Sequence, residues 1–263
     1  LLYMSFNSNQ TSELILSTAY FPNVEYFALI NLFDGVMIDV NETFPKQTYR
    51  NRCSILTANG PLNLVLPVSK PNGNKSLTKD VTIFDREKWH LNHTRAISSA
   101  YSTSPFYIHY IDEFIGIFDN KWDNLVDLNT EILKRLLAIL EIDKNICFTD
   151  DFIPVDNDHT DFRFTISPKV ESNLTAFNEY TQVFSDRHMF FPNLSVLDLI
   201  FNLGPRAKDY LNNVADDILN KIEKERNYLV TPFGKFYVSN FMSNFRKNTI
   251  AYHNTSHYFI GYA

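Results

Sequence analysis

The residues best suited to chemistry lie directly after an apolar segment near the amino terminus. Residues 36–40 have the composition of a buried strand, and a dense group of polar side chains follows it. The members of this group that could bind an anion are Lys46, Gln47, Arg50 and Arg52. In α/β proteins, ligand sites lie outside the carboxyl ends of strands, and a guanidinium group offers phosphate or carboxylate a planar fork of donors. The sequence therefore indicates an anion site after this strand.

The two arginines of this group allow two interpretations. Alternation along a strand would place Arg50 and Arg52 on one face, where they could bracket a phosphate. Alternatively, the segment is an exposed edge strand whose charges prevent association with other chains. The sequence agrees with both.

A second set of candidates lies in a helix predicted over residues 85–101. His93 lies on the apolar face of this helix and could act as a general acid or base. Asp39, at the end of the predicted strand, and Tyr101, at the end of the helix, are candidates to orient it. Alternatively, a histidine on an apolar face is a hydrogen-bonded core residue. His90 lies three residues before His93, but the sequence offers no third ligand for a metal ion.

A carboxylate and an amide interrupt an apolar run over residues 193–204. Asp198 and Asn202 lie four residues apart, so a helix would place them on one face. A buried carboxylate needs a partner, which Arg50 or Arg52 would supply, and Asn202 then joins the anion-binding candidates. Alternatively, this helix face is exposed and no partner is needed.

Composition restricts the classes of function. The chain has 263 residues and a net charge of −6, which argues against a broad electrostatic surface for nucleic acid. Its two cysteines lack metal-ligand spacing, so neither a zinc site nor a disulfide framework is indicated, and the reducing cytoplasm is the default location. No segment approaches the roughly 20 apolar residues of a membrane-spanning helix. The sequence also lacks the phosphate-binding loop, the serine-hydrolase elbow and the metalloprotease histidine motif.

The hydrophobic pattern predicts an α/β fold. Residues 13–18 and 36–40 are expected to be strands on either side of a helix over 25–33, which makes a compact parallel unit. Paired strands are expected over 52–56 and 62–68. Helices are predicted over 85–101, 104–118, 124–140 and 193–204, and one or two helical segments are predicted over 205–224. The expected fold class is a Rossmann-like parallel sheet in the amino-terminal half, followed by a mainly helical half.

Together these segments resemble the WbqC-like protein family, bacterial proteins named from an O-antigen gene cluster. The similarity keeps the family's order over most of residues 14–211. The residues that carry it are Tyr20-Phe-Pro22, Tyr26-Phe27, Asp39, Lys46-Gln47, Tyr49-Arg-Asn-Arg52, Leu64-Val-Leu-Pro-Val68, Trp89, His93, Tyr101, Ser104-Pro-Phe106, Asp127-Leu-Asn129 and the run 193–205. The resemblance implies one α/β domain over residues 13–224 and an extension, 225–263, outside it.

Two segments depart from the family pattern. Many relatives end the first strand with His-Gln-Pro, where this chain has Ser17-Thr-Ala19. Many also carry a glycine-rich Ser-Gly-Pro segment, where this chain has residues 161–168. Chemistry that depends on those two segments in relatives is therefore not transferred to this chain.

The family's association with surface polysaccharides implies a function. We expect a cytoplasmic protein of surface-glycan precursor biosynthesis that acts, as a transferase, on a nucleotide-activated sugar or a similar anionic substrate. Arg50 and Arg52 would hold the phosphate. The alternative is a non-catalytic binding or assembly subunit beside a glycan-biosynthesis transferase, so enzymatic activity stays open.

A purely structural role for the polar residues and the association of several copies are two further expectations. Arg50, Arg52, Asp198 and His93 could instead form a buried network with a purely structural role. A homo-oligomer is compatible with each of these functions. The sequence assigns no cofactor, no metal, no nucleic acid and no membrane span.

Overall fold

The computed structural model describes residues 14–84, 88–154, 160–169 and 171–227. The strands in these ranges are β1 (Leu14–Ser17), β2 (Gly35–Asp39), β3 (Arg52–Thr57), β4 (Gly60–Val65), β5 (Val68–Ser69), β6 (Thr82–Ile83), β7 (Asn145–Phe148) and β8 (Thr160–Asp161). The α-helices are α1 (Val24–Leu32), α2 (Trp89–Tyr101), α3 (Tyr107–Phe118), α4 (Leu125–Ile139), α5 (Val196–Leu203) and α6 (Ala207–Asn227). The fold thus opens with strand, helix and strand, and helices dominate after residue 88.

Four parallel strands form the central sheet in the order β7-β2-β1-β8. β1 pairs with β2 from Leu14 opposite Val36 to Ser17 opposite Asp39. All four residues of β1 are buried, which is typical of a parallel strand covered on both faces. The predicted α/β fold with a parallel core is confirmed, and its sheet also takes β7 and β8 from later in the chain.

The strand order reverses beside β1. The chain leaves β1 through α1 to reach β2 on one side, and much later it places β8 on the other side. In open parallel sheets such a reversal leaves a crevice outside the carboxyl ends of the strands, where ligands bind. In this chain the crevice lies between the ends of β1 and β8.

Apolar helices and a hairpin surround the sheet. Helix α1 is buried over Val24 to Ile30 and packs against α5 and α6. Asn23 caps its start by accepting a hydrogen bond from the Tyr26 amide at 3.1 Å. The antiparallel hairpin of β3 and β4 packs through β3 against α2 and α5. These helices hold the loops at the carboxyl edge of the sheet in place.

Some predicted helix boundaries differ from the observed ones. Helix α2 begins at Trp89, because Lys88 has a left-handed backbone with φ of +47°; residues 85–87 lie outside the described ranges. Helix α3 begins at Tyr107 and not at Pro105, because the Ser104 hydroxyl donates to the Tyr101 carbonyl at 2.7 Å and closes the end of α2. The predicted extension also lies outside the described residues, apart from the last turn of α6. None of the described helices is both long and apolar enough to cross a membrane.

Gly204 ends α5 with φ of +55° and lies against the ring of Phe106. An added Cβ would overlap this ring, whereas Gly73, with φ of +58°, has no atom within 4 Å of an added Cβ. We expect Gly73→Ala to lose about 1–2 kcal/mol of unfolding free energy for its backbone conformation alone. Gly204→Ala should lose roughly 1–3 kcal/mol more, because the Phe106 ring must move. Urea denaturation measures both.

The two glycine variants compare a glycine in open space with one that has φ of +55° and ψ of −126° and also lies against the Phe106 ring. Equal losses in both would mean that the Phe106 ring moves freely and that the end of α5 is loosely packed. A larger loss for Gly204→Ala would place the 104–106 turn firmly against α5.

Candidate functional site

Polar side chains meet at the carboxyl edge of the parallel sheet. Ser17 ends β1, Asp39 ends β2 and Asp161 ends β8. Loops that follow these strands add further charged side chains at the same edge. We call the following six residues the carboxyl-edge cluster: Ser17, Asp39, Glu42, Arg50, Asp161 and Arg163.

Arg50 is held in a buried ion pair with Glu42. Its Nε donates to Glu42 Oε1 at 2.7 Å and its Nη2 donates to Oε2 at 2.6 Å, which is a bidentate geometry. The same Nη2 donates to Ser17 Oγ at 2.5 Å, and Ser17 Oγ donates to the Arg163 carbonyl at 3.1 Å. Because the Arg50 and Glu42 side chains are only 4% and 1% exposed, each neutralises the other's buried charge.

Arg163 joins two strand ends through a second set of ion pairs. Its Nη1 donates to Asp39 Oδ2, and its Nε and Nη2 donate to Asp161 Oδ1 and Oδ2 at 3.0 and 2.6 Å. The rings of Phe152 and Phe164 lie 5.2 and 5.4 Å from the guanidinium carbon. Burial lowers the pKa of Arg163, but the hydrogen bonds and charges of Asp161 and Asp39 outweigh this effect and raise the pKa. Arg163 is therefore permanently charged.

A narrow crevice opens beside the cluster at the strand-order reversal. Its volume is about 10 Å³, and Ser17, Arg50 and Arg163 are among the residues that line it. This volume suits about one water molecule. Three carboxylates face two guanidinium groups in the cluster, so it carries one net negative charge. In this closed form the cluster can bind a water or a hydroxyl group, and a larger ligand requires the surrounding loops to move.

His93 is buried, and its ring has two hydrogen-bond partners, neither of which belongs to the cluster. The Tyr20 hydroxyl lies 2.7 Å from its Nδ1. A second hydrogen bond joins the ring to the Val65 backbone; because this bond favours the protonated ring, the Val65 group is the carbonyl. Burial lowers the pKa of His93 to about 4, against the opposing effect of Val65. The geometry therefore favours the core-residue interpretation of His93 over a role as acid or base.

Asp198 and Asn202 lie on α5, and none of their hydrogen bonds in the described part of the chain is to Arg50 or Arg52. Asp198 Oδ2 accepts hydrogen bonds from the Tyr180 hydroxyl at 2.6 Å and the Gln182 amide at 2.9 Å. The expected arginine partner is wrong, because the hydrogen-bond partners of Oδ2 are both neutral donors. The Asn202 amide donates to the Asp198 carbonyl at 2.7 Å, and the Tyr101 hydroxyl accepts from the Leu56 amide at 3.2 Å.

Neutral groups also set the pKa of this carboxylate. Burial raises the pKa of Asp198, while the side chains of Tyr180, Gln182, Tyr101 and Asn202 oppose the rise. Yet Oδ1 itself has no hydrogen-bond partner, so the nearby Tyr101 and Asn202 act on the carboxylate at longer range.

The remaining anion-binding candidates do not share the geometry that alternation predicts. Arg50 lies in a short 3-10 helix, Tyr49–Asn51, so a common strand face for Arg50 and Arg52 is wrong. Arg52 begins β3, and its Nε is buried without a hydrogen-bond partner. Lys46 and Gln47 are exposed, and Gln47 has φ of +58°. Of the sequence-predicted residues, the structure thus brings Asp39 and Arg50 into the cluster.

Four cluster residues were missed by sequence reasoning: Ser17, Glu42, Asp161 and Arg163. A usable signal existed for two of them, since Ser17 and Glu42 lie at or just after the ends of predicted strands. Strand β8 has only two residues and follows an acidic segment, so its pattern does not predict a strand. Asp161 and Arg163 therefore could not be assigned to the sheet edge.

The fold and the cluster define a parallel α/β protein with a charged site at the carboxyl ends of its strands. A sequence profile of the WbqC-like protein family matches residues 18–175. This match covers more than half of the chain, and the chain belongs to the WbqC-like protein family. The matched span contains every residue of the carboxyl-edge cluster except Ser17.

One relative is similar to this chain over almost the whole length of that relative. "Uncharacterized protein Rv1507c" of Mycobacterium tuberculosis (strain ATCC 25618 / H37Rv) is 25% identical over 225 residues, which cover 75% of this chain and 96% of that protein. Its name states no activity or substrate. No solved structure matches this chain.

The two segments that depart from the family pattern meet at the crevice. Ser17 donates its hydroxyl hydrogen to the Arg163 carbonyl, and the Phe162 amide donates to the Ile15 carbonyl at 2.9 Å. Ser17 and Arg163 also both line the crevice. The end of the first strand and residues 161–168 therefore contribute to one site.

The Arg50–Glu42 pair makes a testable contribution to stability. Arg50→Ala would leave Glu42 buried without its cation, and we expect a loss of roughly 3–5 kcal/mol in unfolding free energy. Arg135→Ala is the matched control, because Arg135 forms partly exposed ion pairs with Glu131 and Glu113. The control should lose less than about 1 kcal/mol. Equal losses in guanidinium chloride denaturation would show that Arg50 is hydrated and free to serve a ligand.

The low pKa of His93 predicts a pH dependence. The unfolded histidine takes up a proton near pH 6.5, whereas the folded residue stays neutral down to about pH 4. Its contribution is thus complete above pH 6.5 and is lost as the pH falls from 6.5 towards 4. Across this window the wild type should lose on the order of 3 kcal/mol more than His93→Gln, whose amide can keep both hydrogen bonds. Parallel pH profiles would instead indicate a solvated, titrating His93.

Proposed function

We propose that this chain binds a nucleotide-activated sugar, or a similar anionic substrate, at the carboxyl-edge cluster and catalyses group transfer in bacterial surface-glycan precursor biosynthesis. The observation that carries the proposal is the convergence of charged side chains from separate loops at the strand-order reversal. Parallel sheets bind ligands at this position. The family's association with surface polysaccharides supports the glycan setting.

The two arginines would hold the phosphate groups. In the closed form, Arg50 and Arg163 each donate two hydrogen bonds to a carboxylate in a bidentate geometry. Phosphate oxygens fit the same fork, so an entering phosphate can replace a carboxylate without a change in the guanidinium geometry. The net negative charge of the cluster would keep it from binding phosphate unless the substrate also satisfies the carboxylates that it displaces.

The displaced carboxylates would then serve the sugar. Asp39 and Asp161 can accept hydrogen bonds from sugar hydroxyl or amine groups once Arg163 turns to the phosphate. One of them, we propose Asp39, would take the proton from the hydroxyl or amine group that attacks and would then donate it to the leaving group. The buried setting strengthens these interactions, because it excludes water from the reacting atoms.

Substrate entry requires the crevice to open. Its volume of about 10 Å³ is far below the roughly 300–1,000 Å³ of ligand pockets. Phe152, which covers the Arg163 guanidinium, is 49% exposed, so its loop can move with little loss of buried apolar surface. The described residues 150–154 are therefore the proposed lid.

The closed crevice also favours a second candidate function. Both guanidinium groups are already paired, which is what a purely structural network would show. The chain would then be a non-catalytic binding or assembly subunit that works beside a glycan-biosynthesis transferase. Its cluster would stabilise the fold and bind no substrate.

Calorimetry with nucleotide sugars tests the proposed function. Purified chain is titrated with UDP-N-acetylglucosamine, dTDP-glucose and GDP-mannose. At least one should bind with a dissociation constant between about 1 μM and 1 mM, the usual range for enzyme substrates. Arg163→Lys keeps the charge but loses the planar fork, so affinity should fall at least about tenfold.

Arg187→Lys is the matched control, because Arg187 is exposed and pairs with its neighbour Asp186. The affinity of Arg187→Lys for nucleotide sugars should equal that of the wild type. A folded wild type that gives no heat with any of the three nucleotide sugars would refute the proposed function and leave the assembly subunit. Equal losses of affinity in both variants would show that binding does not use the cluster.

A further inference from the structure

Asp198 is a buried carboxylate that neutral donors alone hold. It is 0% exposed, its Oδ2 accepts from Tyr180 and Gln182, and its Oδ1 has no hydrogen-bond partner. Within the described ranges no lysine, arginine or histidine forms an ion pair with it. It lies in the first turn of α5, where the positive end of the helix dipole favours a negative charge. This dipole and the two donors oppose the rise in the pKa of Asp198 that burial causes, in place of a cation.

The carboxylate fixes and polarises Tyr180. The Tyr180 hydroxyl donates its only hydrogen to Asp198, so its oxygen can serve any other partner only as an acceptor. Burial and the charge of Asp198 raise the pKa of Tyr180 well above its usual value, so the hydroxyl keeps its proton. A hydroxyl that donates to a carboxylate is a stronger acceptor for the next donor in the chain. Tyr180 is thus prepared to accept a hydrogen bond from a ligand.

Tyr180 lines a groove that has the volume of a ligand site. The groove measures about 580 Å³, within the roughly 300–1,000 Å³ usual for ligand pockets. We call it the loop groove, and its lining consists of Leu56 and residues 179–182, 184–185 and 188–190. No residue that lines it also lines the crevice at the carboxyl-edge cluster.

The lining of the loop groove combines aromatic rings with polar groups, which include one carboxylate, Glu179. Tyr180, Phe184 and Phe190 supply the rings, and Gln182 and Ser185 supply hydrogen-bonding groups. No lysine or arginine lines the groove. Gln182 is itself held in place, since its amide donates to the Phe191 carbonyl and accepts from the Phe191 amide, both at 2.9 Å. Such a lining suits a ligand with hydroxyl groups and an apolar ring face, and it offers nothing to neutralise a phosphate.

We propose that the loop groove binds a neutral carbohydrate. A sugar hydroxyl donates to the Tyr180 oxygen, and the apolar face of the sugar ring packs against Phe184 or Phe190. Asp198 acts through Tyr180 as a positioning residue and does not touch the ligand. This site stands apart from the proposed function, because the two sites share no lining residue.

Saturation-transfer NMR with maltose, lactose and free N-acetylglucosamine tests the groove. At least one sugar should give a saturable signal with the wild type, and Tyr180→Phe should weaken that binding at least about tenfold, because it removes the accepting oxygen. Tyr210→Phe is the matched control. The Tyr210 ring lies edge-on to Tyr180 at 5.1 Å, but its hydroxyl donates to the Asn178 carbonyl, outside the groove lining. The control should bind as the wild type does.

A second pair of variants guards against misfolding of Tyr180→Phe. Ser185 is exposed and lines the groove, whereas its neighbour Asp186 is exposed and does not. Ser185→Trp should fill the groove and abolish sugar binding, and Asp186→Trp should not. A folded wild type with no saturable signal, or sugar binding unchanged in Ser185→Trp, would overturn the proposal.

Calorimetry with the nucleotide sugars tests whether the two sites bind their ligands independently. Ser185→Trp should leave nucleotide-sugar binding at the carboxyl-edge cluster unchanged, and Arg163→Lys should leave neutral-sugar binding in the loop groove unchanged. If Ser185→Trp lost both neutral-sugar and nucleotide-sugar binding, the two ligands would share one site and the proposal of an independent groove would be overturned.

Discussion

Two buried guanidinium groups at the carboxyl ends of the strands determine how this chain closes its sheet. Arg50 joins the loop after β2 to β1 through Glu42 and Ser17, and Arg163 joins the loop after β8 to β2 through Asp39. A charge moved from water to the protein interior costs several kcal/mol unless its partners have good geometry. Any slip in strand register would separate these partners. The ion pairs therefore select one arrangement of β1, β2 and β8, and the loops at the edge follow from it.

The same ion pairs limit what the edge can bind. A ligand shifts a conformational equilibrium only by its difference in affinity for the two states. An open form of the cluster leaves Asp39 and Asp161 without Arg163, so a ligand must replace both the anionic partner of the arginine and the donors of the carboxylates. A bare phosphate meets only the first requirement. A phosphate that carries a sugar meets both, which is why we propose a sugar phosphate and not a simple anion.

The sequence predicts the local elements well and the long-range pairs poorly. Hydrophobic periodicity places the opening strand-helix-strand unit and α4, because each pattern is local. Arg50 bonds to a residue only 8 positions away, but a 3-10 helix, which strand alternation does not anticipate, turns its side chain. Arg163 and Asp39 are 124 residues apart, and the two-residue strand that brings them together has no pattern of its own. Only the folded sheet reveals that pair.

Asp39 and Asp198 show two ways of burying a carboxylate, with different consequences for function. Asp39 has a guanidinium partner and two further donors, the Asn41 amide and the Thr149 hydroxyl, so a ligand gains little unless it breaks an ion pair. Asp198 has hydroxyl and amide partners and lies at the positive end of a helix dipole. Its carboxylate therefore polarises the Tyr180 hydroxyl that donates to it. The ion-paired centre has a crevice of about 10 Å³, and the neutral one has a groove of about 580 Å³. A ligand of the first site would therefore have to offset the cost of opening it, whereas the proposed neutral ligand of the second site would need no such opening.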